Sequence, residues 1–427
     1  MNRLRDRLGA SLIAIGALGA AVWTSSTAAE NWPQYRGPDR SGIVTEKNLA
    51  ATWPEKGPKE LWRQPTGIGF ASPIGVDGKV YEFYLGEGNT TDILEAFDAQ
   101  TGKSLWKQSV PTKYNQTFPG TRCTPLIDGD RIFTYGADAQ LIARNLADGK
   151  QLWTVDVMKE SGSVQRAAGD NWGNSSSPLI EGDSIYVQVR ESGNAAVCID
   201  KKDGKILWKS EAMDGGYASP VLAGVAGKKQ LLCFASKHLI ALNPTTGKTL
   251  WILGADFETQ YRINATMPIV HDGKVFLSCW YNNQRCGLYD LNKLTAAGPE
   301  KVWEGKQITA RFQAPILDNG YLYANSEGVL KCVRWADGKV MWTSPNIDKL
   351  LGFGGTMVRF GGDKLICLNS EIGGLNLIKA TPEGMEKITT LKRFVQGNQI
   401  WATPLVYNGK LYIQSKDELI AYDIGGK

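Results

Sequence analysis

The sequence has few of the side chains that usually hold metals and haem. Only two histidines, His238 and His271, occur in 427 residues, and they are far apart. The seven cysteines include no adjacent pair and no Cys-x-x-Cys-His segment, the attachment sequence of c-type haem. Zinc and haem sites need such clusters. We therefore predict no metal site.

Dense runs of basic residues are also absent. Lysine and arginine total 48, but they are scattered along the chain, and the net charge is only +5. Nucleic-acid binding needs basic side chains gathered on one face or stripe. We predict that nucleic acid is not a partner.

One apolar stretch, at the N-terminus, is typical of a cleavable secretion signal. The basic residues that precede it are Arg3, Arg5 and Arg7. The apolar run Leu8–Trp23 has about 16 residues, fewer than the ~20 that span a bilayer. Small residues follow it and end at Thr27-Ala28-Ala29, a cleavage sequence. We predict that residues 1–29 are removed and that the mature chain is periplasmic or secreted, with no membrane span.

The cysteines point to burial more than to cross-linking. The first is Cys123, so no lipid anchor is expected near the cleavage point. An odd count leaves at least one cysteine without an intramolecular partner. Cys279 and Cys286 flank a predicted hairpin turn, a spacing that permits a disulfide without requiring it.

An eleven-residue phrase recurs along the chain. It begins with a small residue, has a Thr/Asp-Gly-Lys turn in the middle and ends in tryptophan, as in Ala96–Trp106. Further copies are Ala143–Trp153, Cys198–Trp208, Ala241–Trp251 and Cys332–Trp342, with a looser one ending at Trp303 and a degenerate one at Leu377–Ile388. The glycine suits a tight turn with positive φ. Each copy predicts a hairpin of two strands.

A second phrase alternates with the first: a small residue, proline, apolar residues, a turn and an aromatic strand. Copies include Ser72–Tyr81, Thr124–Phe133 and Ser177–Tyr186. Together the two phrases give four antiparallel strands for each unit, and a four-stranded repeat of this length predicts a propeller blade.

Eight such units are predicted in residues 59–427, after an N-terminal extended segment at 30–58. The eighth lacks an outer strand, which we expect Glu60–Arg63 to supply. Trp62 is then at the position that tryptophan has in the other outer strands. The fold class is therefore all-β, an eight-bladed propeller of four-stranded blades closed by an N-terminal strand, which removes exposed edges. The tryptophans expected between blades are Trp62, Trp106, Trp153, Trp208, Trp251, Trp303 and Trp342.

These phrases resemble the pyrroloquinoline-quinone (PQQ)-like β-propeller repeat family over residues 59–427. The resemblance implies one of two branches. One comprises quinoprotein dehydrogenases that use PQQ and Ca²⁺; the other comprises non-catalytic propellers, including the outer-membrane β-barrel assembly lipoprotein. The opening Asn31–Pro38 also resembles secreted PQQ-repeat proteins of uncharacterised function.

The chain departs from the dehydrogenase branch because it lacks the adjacent cysteine pair that lies over the cofactor there. We therefore expect no cofactor and a non-catalytic binding or assembly scaffold. The alternatives are a dehydrogenase that oxidises alcohols or sugars with PQQ and Ca²⁺, and a carbohydrate-binding propeller.

The predicted site lies where long connections cross from each outer strand to the next inner strand, because long loops on rigid scaffolds carry binding residues. Arginine and aromatic side chains near these loop ends could hold an anionic, sugar or planar ligand, or a partner protein. The Gly169–Ser177 stretch offers oxygen atoms for Ca²⁺, but serine-rich turns are common before strands. The candidates are Phe70, Arg122, Asp170, Trp172, Asn174, Tyr217, Arg262, Arg311, Phe312, Asn398 and Trp401.

Overall fold

Eight antiparallel sheets are arranged as the blades of a propeller. The computed structural model describes residues 30–426 except 115–117, 164–171, 191–192, 212, 260 and 347–349. Each blade has four strands from the central channel outwards, and the seventh has a fifth strand on its inner edge. The predicted fold class is confirmed. Within the described residues, no helix is long and apolar enough to cross a membrane.

The strands follow the predicted order of inner, second, third and outer. Before the first blade come β1 (Ile43–Val44) and β2 (Lys59–Pro65). Blades 1 to 4 are β3 (Ile74–Val76), β4 (Lys79–Leu85), β5 (Thr91–Asp98), β6 (Ser104–Pro111); β7 (Leu126–Asp128), β8 (Arg131–Tyr135), β9 (Gln140–Asn145), β10 (Gln151–Asp156); β11 (Leu179–Glu181), β12 (Ser184–Gln188), β13 (Ala196–Asp200), β14 (Ile206–Lys209); and β15 (Val221–Val225), β16 (Lys228–Phe234), β17 (Leu239–Leu242), β18 (Thr249–Leu253).

Blades 5 to 8 repeat the pattern, and β2 is the outer strand of the eighth. They are β19 (Ile269–His271), β20 (Lys274–Cys279), β21 (Arg285–Thr295), β22 (Gly298–Gly305); β23 (Ile316–Asp318), β24 (Tyr321–Ser326), β25 (Val329–Arg334), β26 (Val340–Thr343); β27 (Thr356–Phe360), β28 (Lys364–Leu368), β29 (Leu375–Thr381), β30 (Gly384–Leu391); and β31 (Leu405–Tyr407), β32 (Lys410–Gln414), β33 (Glu418–Asp423). Helical turns at Glu87–Asn89, Val157–Ser161 (α1) and Ala255–Phe257 interrupt the loops.

The tryptophan and glycine of the first phrase meet across blade junctions. The Trp62 ring of blade 8 lies on Gly102 of blade 1, whose φ is +71°. A methyl group on Gly102 would come 2.6 Å from this ring, so only glycine allows the contact. The Trp62 indole also donates to the Ala99 carbonyl at 3.2 Å. The same glycine contact recurs between Trp106 and Gly149, Trp153 and Gly204, Trp208 and Gly247, and Trp303 and Gly338.

The second phrase forms a belt of hydrogen bonds around the channel. The backbone N–H of Ser72 donates to the Thr124 hydroxyl of the next blade at 3.2 Å. Three further junctions have the same bond: Thr124 to Ser177, Ser177 to Ser219, and Thr403 to Ser72. At these four junctions the small hydroxyl residue before the proline therefore connects neighbouring inner strands.

The ring closes as predicted. β2 pairs antiparallel with β33, with Trp62 opposite Ala421. Trp62 is 8% exposed and packs against Phe97 of blade 1 and Tyr412 of blade 8, with ring centroids 6.3 and 5.6 Å away. The last blade is thus completed by a strand that precedes the first.

Residues 30–58 cross the channel on the side of the short turns; we call them the N-terminal strap. Trp32 and Gly75 exchange backbone hydrogen bonds of 2.7 and 3.0 Å. β1 pairs in parallel with β27 of blade 7, and the Glu46 carboxylate accepts a bond from the Gly409 N–H of blade 8. The strap therefore joins blades that are far apart in sequence.

The cysteines are free and buried. Cys279 and Cys286 do lie in one hairpin, but their register is offset. Cys279 is opposite Arg285, while Cys286 is opposite Ser278. The disulfide that the spacing permits is not formed.

Blade 1 contains three buried acids, Glu82, Asp92 and Glu95, and burial raises the pKa of the first two. Burial raises the pKa of Glu82 well above its usual value, and Glu82 is completely inaccessible. Asp92 is 5% exposed, and burial raises its pKa to about 7, reinforced by the negative charge of Asp138. The carboxyls of Glu82 and Asp92 hold their protons more tightly in the folded chain.

We expect Trp62→Ala to lower the free energy of unfolding by about 3–5 kcal/mol, because it empties a buried site between the last and first blades. Trp106→Ala should cost less, since the Trp106 ring is only half-buried. The control Leu105→Ala, at a side chain 43% exposed, should change stability by about 0.5 kcal/mol or less. Urea unfolding measures all three. A Trp62→Ala protein as stable as the parent would contradict the closure.

Asp92 should make stability fall as pH rises. The pKa of this carboxyl is higher in the folded chain than its usual 3.8, so its contribution to the stability of the fold is complete below pH 3.8. That contribution is lost as the pH rises to about 7, the pKa in the folded chain. We expect Asp92→Asn to reduce the loss between pH 5 and pH 8 by roughly 2–3 kcal/mol. Denaturation at both pH values measures it. Asp130→Asn, at an exposed carboxylate, is the control, and equal pH dependence in both variants would refute the assignment.

Candidate functional site

The channel opens into a pocket on the face that carries the crossing loops. This mouth pocket has a volume of about 340 Å³, and Tyr35 of the strap forms part of its wall. Hydroxyls of the channel belt, including Ser72 and Thr124, lie in its deeper part, and aromatic rings surround its opening. No aspartate or glutamate belongs to its lining within the described part of the chain. The pocket is therefore aromatic and cationic.

The structure brings together seven of the eleven predicted residues. They line the mouth pocket and are Phe70, Arg122, Trp172, Tyr217, Arg311, Phe312 and Trp401. They come from crossing loops of different blades, which the ring directs to one opening.

The other four predicted residues do not line the pocket. Asn174 is buried: its amide donates to the Ala137 carbonyl and its oxygen accepts from the Arg190 N–H, so it fixes a loop. Arg262 pairs with Asp214 at 3.0 Å away from the pocket, and Asn398 is exposed. Asp170 lies outside the described residues.

Trp401 is the centre of one half of the aromatic rim. Its ring centroid lies 4.7 Å from Phe70, 5.1 Å from Phe312 and 5.5 Å from Phe118. Such spacings are those of favourable aromatic pairs. Because Gly354 lies against the Trp401 indole, a side chain there would clash with it.

The other half of the rim is a second chain of rings. Tyr281 contacts Trp280 and Tyr261 at centroid distances of 4.9 and 6.2 Å. Tyr261 contacts Trp172 at 5.5 Å, and Trp172 reaches Tyr217 at 6.4 Å. These edge-to-face contacts fix the orientation of the rings around the pocket.

Two arginines pack on the rim, and one of them, Arg311, links its halves. The Arg311 guanidinium lies 4.6 Å from the Trp280 ring centroid and 4.9 Å from that of Phe312, so it bridges both halves by cation–π contacts. Arg122 lies over Phe70 at 5.4 Å and over Tyr114 at 4.8 Å. Burial lowers the pKa of Arg122, because the charged form is desolvated.

Sequence reasoning missed several residues of the pocket. Tyr35 belongs to the strap, outside the repeat, and Tyr281 lies in a loop between second and third strands. Tyr261 and Phe118 lie inside crossing loops, several residues before the inner strands. The usable signal was the concentration of aromatic residues in loops of one face.

The pocket fits a planar or anionic ligand better than it fits Ca²⁺. Aromatic faces and guanidinium groups suit the rings and carboxylates of PQQ. Ca²⁺ takes six to eight oxygen ligands, and carboxylates are usually among them. The described lining offers no carboxylate. The hydroxyls of Thr124 and Ser177 already accept bonds between blades. The described residues also contain no group of three or more His, Cys, Asp or Glu side chains that could hold a metal. The described residues do not fit the metal-dependent site of a dehydrogenase.

Comparisons with known proteins agree with the fold. The family model described as outer membrane protein assembly factor BamB matches residues 89–344. A curated relative, the outer membrane protein assembly factor BamB of Marinobacter adhaerens, is 24% identical over 149 residues. That match spans 35% of this chain and only 32% of the relative, about a third of its length.

Solved structures with the same architecture include both kinds of propeller. BamB from Moraxella catarrhalis superposes with a TM-score of 0.60 at 14% identity, covering 86% of this chain and 99% of that one. Quinohemoprotein alcohol dehydrogenase from Comamonas testosteroni superposes with a TM-score of 0.66 at 13% identity. The match covers 94% of this chain and 82% of that one. At these identities the likeness shows the fold. The family model covers more than half of the sequence, and the chain therefore belongs to the outer membrane protein assembly factor BamB family of PQQ-like repeat propellers.

Proposed function

We propose that this chain is an exported, non-catalytic propeller that binds a partner at the mouth pocket and acts as a binding or assembly scaffold. The observation that carries the proposal is the pocket itself: a rim of aromatic rings and arginines with no carboxylate in its described lining. The name of the family, an assembly factor, supports the same role.

The chemistry of the rim favours protein or peptide recognition. Aromatic residues and arginine dominate the binding energy of protein interfaces. Here Phe118, Tyr261 and Phe353 are 36%, 39% and 44% exposed on the crossing-loop face. A partner that inserts an apolar or aromatic side chain, with an acidic group for Arg122 or Arg311, would complement both the shape and the charge of the pocket.

The same lining argues against catalysis. Oxidation of an alcohol needs a base to take the hydroxyl proton, and a carboxylate of suitable pKa is a usual choice. The described lining has hydroxyls, one amide, two guanidiniums and aromatic rings, but no carboxylate, imidazole or lysine. These groups hold a ligand without supplying that base.

The N-terminal sequence supports export. Residues 1–29 lie outside the described residues, and their basic, apolar and small-residue parts support cleavage before Glu30. The name of the relative places that protein in outer-membrane assembly, which fits a periplasmic or secreted location for this chain. Mass spectrometry of protein recovered outside the cytoplasm should give a first residue at or next to Glu30.

Site-specific photocross-linking in intact cells tests the binding role. A benzophenone side chain in place of Phe118 should give a discrete adduct, because this position lies on the rim. The same group in place of Leu207, a 49% exposed residue of an outer strand, is the matched control and should give none. Trp401→Ala should weaken the Phe118 adduct several-fold, since Trp401 orders the rim. Equal labelling at both positions would contradict the proposal.

A dye-linked oxidation assay tests the non-catalytic part. Purified mature protein, supplied with PQQ and Ca²⁺ and offered alcohols and sugars, should show no turnover above a sample without protein. Turnover that requires PQQ and that Trp401→Ala abolishes would overturn the proposal in favour of a dehydrogenase.

A further inference from the structure

Two arginines of the N-terminal strap are buried in the channel. Arg36 is 3% exposed and Arg40 is 9% exposed. The Arg36 Nη1 donates to the Ala314 carbonyl at 2.6 Å, and the Arg40 Nη1 donates to the Pro220 carbonyl at 3.0 Å. Both carbonyls are one residue away from positions that line the mouth pocket, Gln313 and Ser219. The two guanidiniums therefore lie near the pocket, deeper in the channel.

The two side chains differ in their hydrogen bonds. Every guanidinium nitrogen of Arg36 donates, and the acceptors are the backbone carbonyls of Arg40, Ala314, Ser41 and Pro315. In Arg40 only Nη1 donates. Its Nε and Nη2 are buried and have no hydrogen-bond partner among the described residues. Buried polar atoms of this kind are rare, and each calls for an acceptor.

No carboxylate contacts this pair within the described chain, although the charge of Asp39 favours the charged form of Arg36 from a distance. Neither arginine forms a salt bridge there, and all their acceptors are neutral carbonyls. Asp39 is exposed and accepts from the Ser41 N–H. Burial lowers the pKa of Arg40 to about 10, and the positive charge of Arg36 lowers it further, yet it remains charged at neutral pH. Leaving a buried charge unpaired is costly.

We propose that the channel beside Tyr35 is a binding site for one small anion, held by Nε and Nη2 of Arg40. Adjacent Nε and Nη2 donors match the geometry of a halide or of one carboxylate. The anion would neutralise the channel charge and fix the strap against blade 4, through the bond of Arg40 to Pro220. This site is separate from the partner-binding role of the rim and stands or falls independently of it.

A free inorganic ion and the carboxylate of a molecule entering from the mouth offer the same chemistry. Chloride and acetate, tested separately, distinguish them. Stabilisation by chloride alone identifies a free ion, whereas stabilisation by both identifies a site that also takes carboxylates. Either result supports the site.

Thermal unfolding of the mature protein is the test. At constant ionic strength, chloride replaces gluconate, a reference anion much bulkier than chloride or acetate. Wild type should show a saturable rise in Tm of about 3 °C at a concentration near 100 times the Kd. Arg40→Met should show no such rise. The control Arg334→Met removes an exposed guanidinium paired with Asp337 and should keep the full response.

Crystals of the wild-type protein grown with bromide give an answer that does not depend on a variant folding. An anomalous peak in contact with Nε and Nη2 of Arg40 is expected. A channel that contains no such peak, or an identical chloride response in wild type and Arg40→Met, would overturn the proposal.

Discussion

Contact between a tryptophan ring and a glycine across the blade junction is the interaction on which this architecture depends. The ring of one blade lies flat on the turn of the next, at a distance that excludes any side chain on the glycine. At five blade junctions of the described chain, one blade supplies the tryptophan and the next supplies the glycine. Closure needs the same pair at the last junction, and the strand Lys59–Pro65 supplies it with Trp62. Because the contact is local and repeated, crossing loops that share little sequence can be presented around the ring.

The strap contributes side chains to both the channel and the mouth pocket. Tyr35 forms part of the inner wall, and Arg36 and Arg40 connect the strap to blades 6 and 4. The rim above is rigid because its rings contact one another in two chains joined by Arg311. An aromatic pocket without a carboxylate in its described lining suits binding better than turnover, which is the physical basis of the proposed scaffold role.

Much of the fold could be predicted from the sequence, because the repeat encodes the contact that builds it. The glycine and tryptophan recur in phase, so the blade count and the closure by Trp62 followed and are confirmed. The binding pocket was accessible only in part. The sequence predicts which loop ends lie near inner strands, and this prediction identified Trp401 and Arg311. The direction of a side chain within a loop, however, depends on the local backbone conformation. Arg262, with φ of +54°, turns away to Asp214. The strap has no repeat, so neither the position of Tyr35 nor the burial of Arg40 could be derived from periodicity.

A double-mutant cycle between Trp62 and Gly102 tests the junction contact most directly. Gly102→Ala should be strongly destabilising in the parent, because the new methyl group meets the Trp62 ring and the backbone keeps a positive φ. In the Trp62→Ala background only the backbone cost of about 1–2 kcal/mol should remain, since the ring is gone. The account predicts a coupling free energy of about 1–3 kcal/mol between the two sites, measured by urea unfolding of the four proteins. Additive effects of the two substitutions would contradict it.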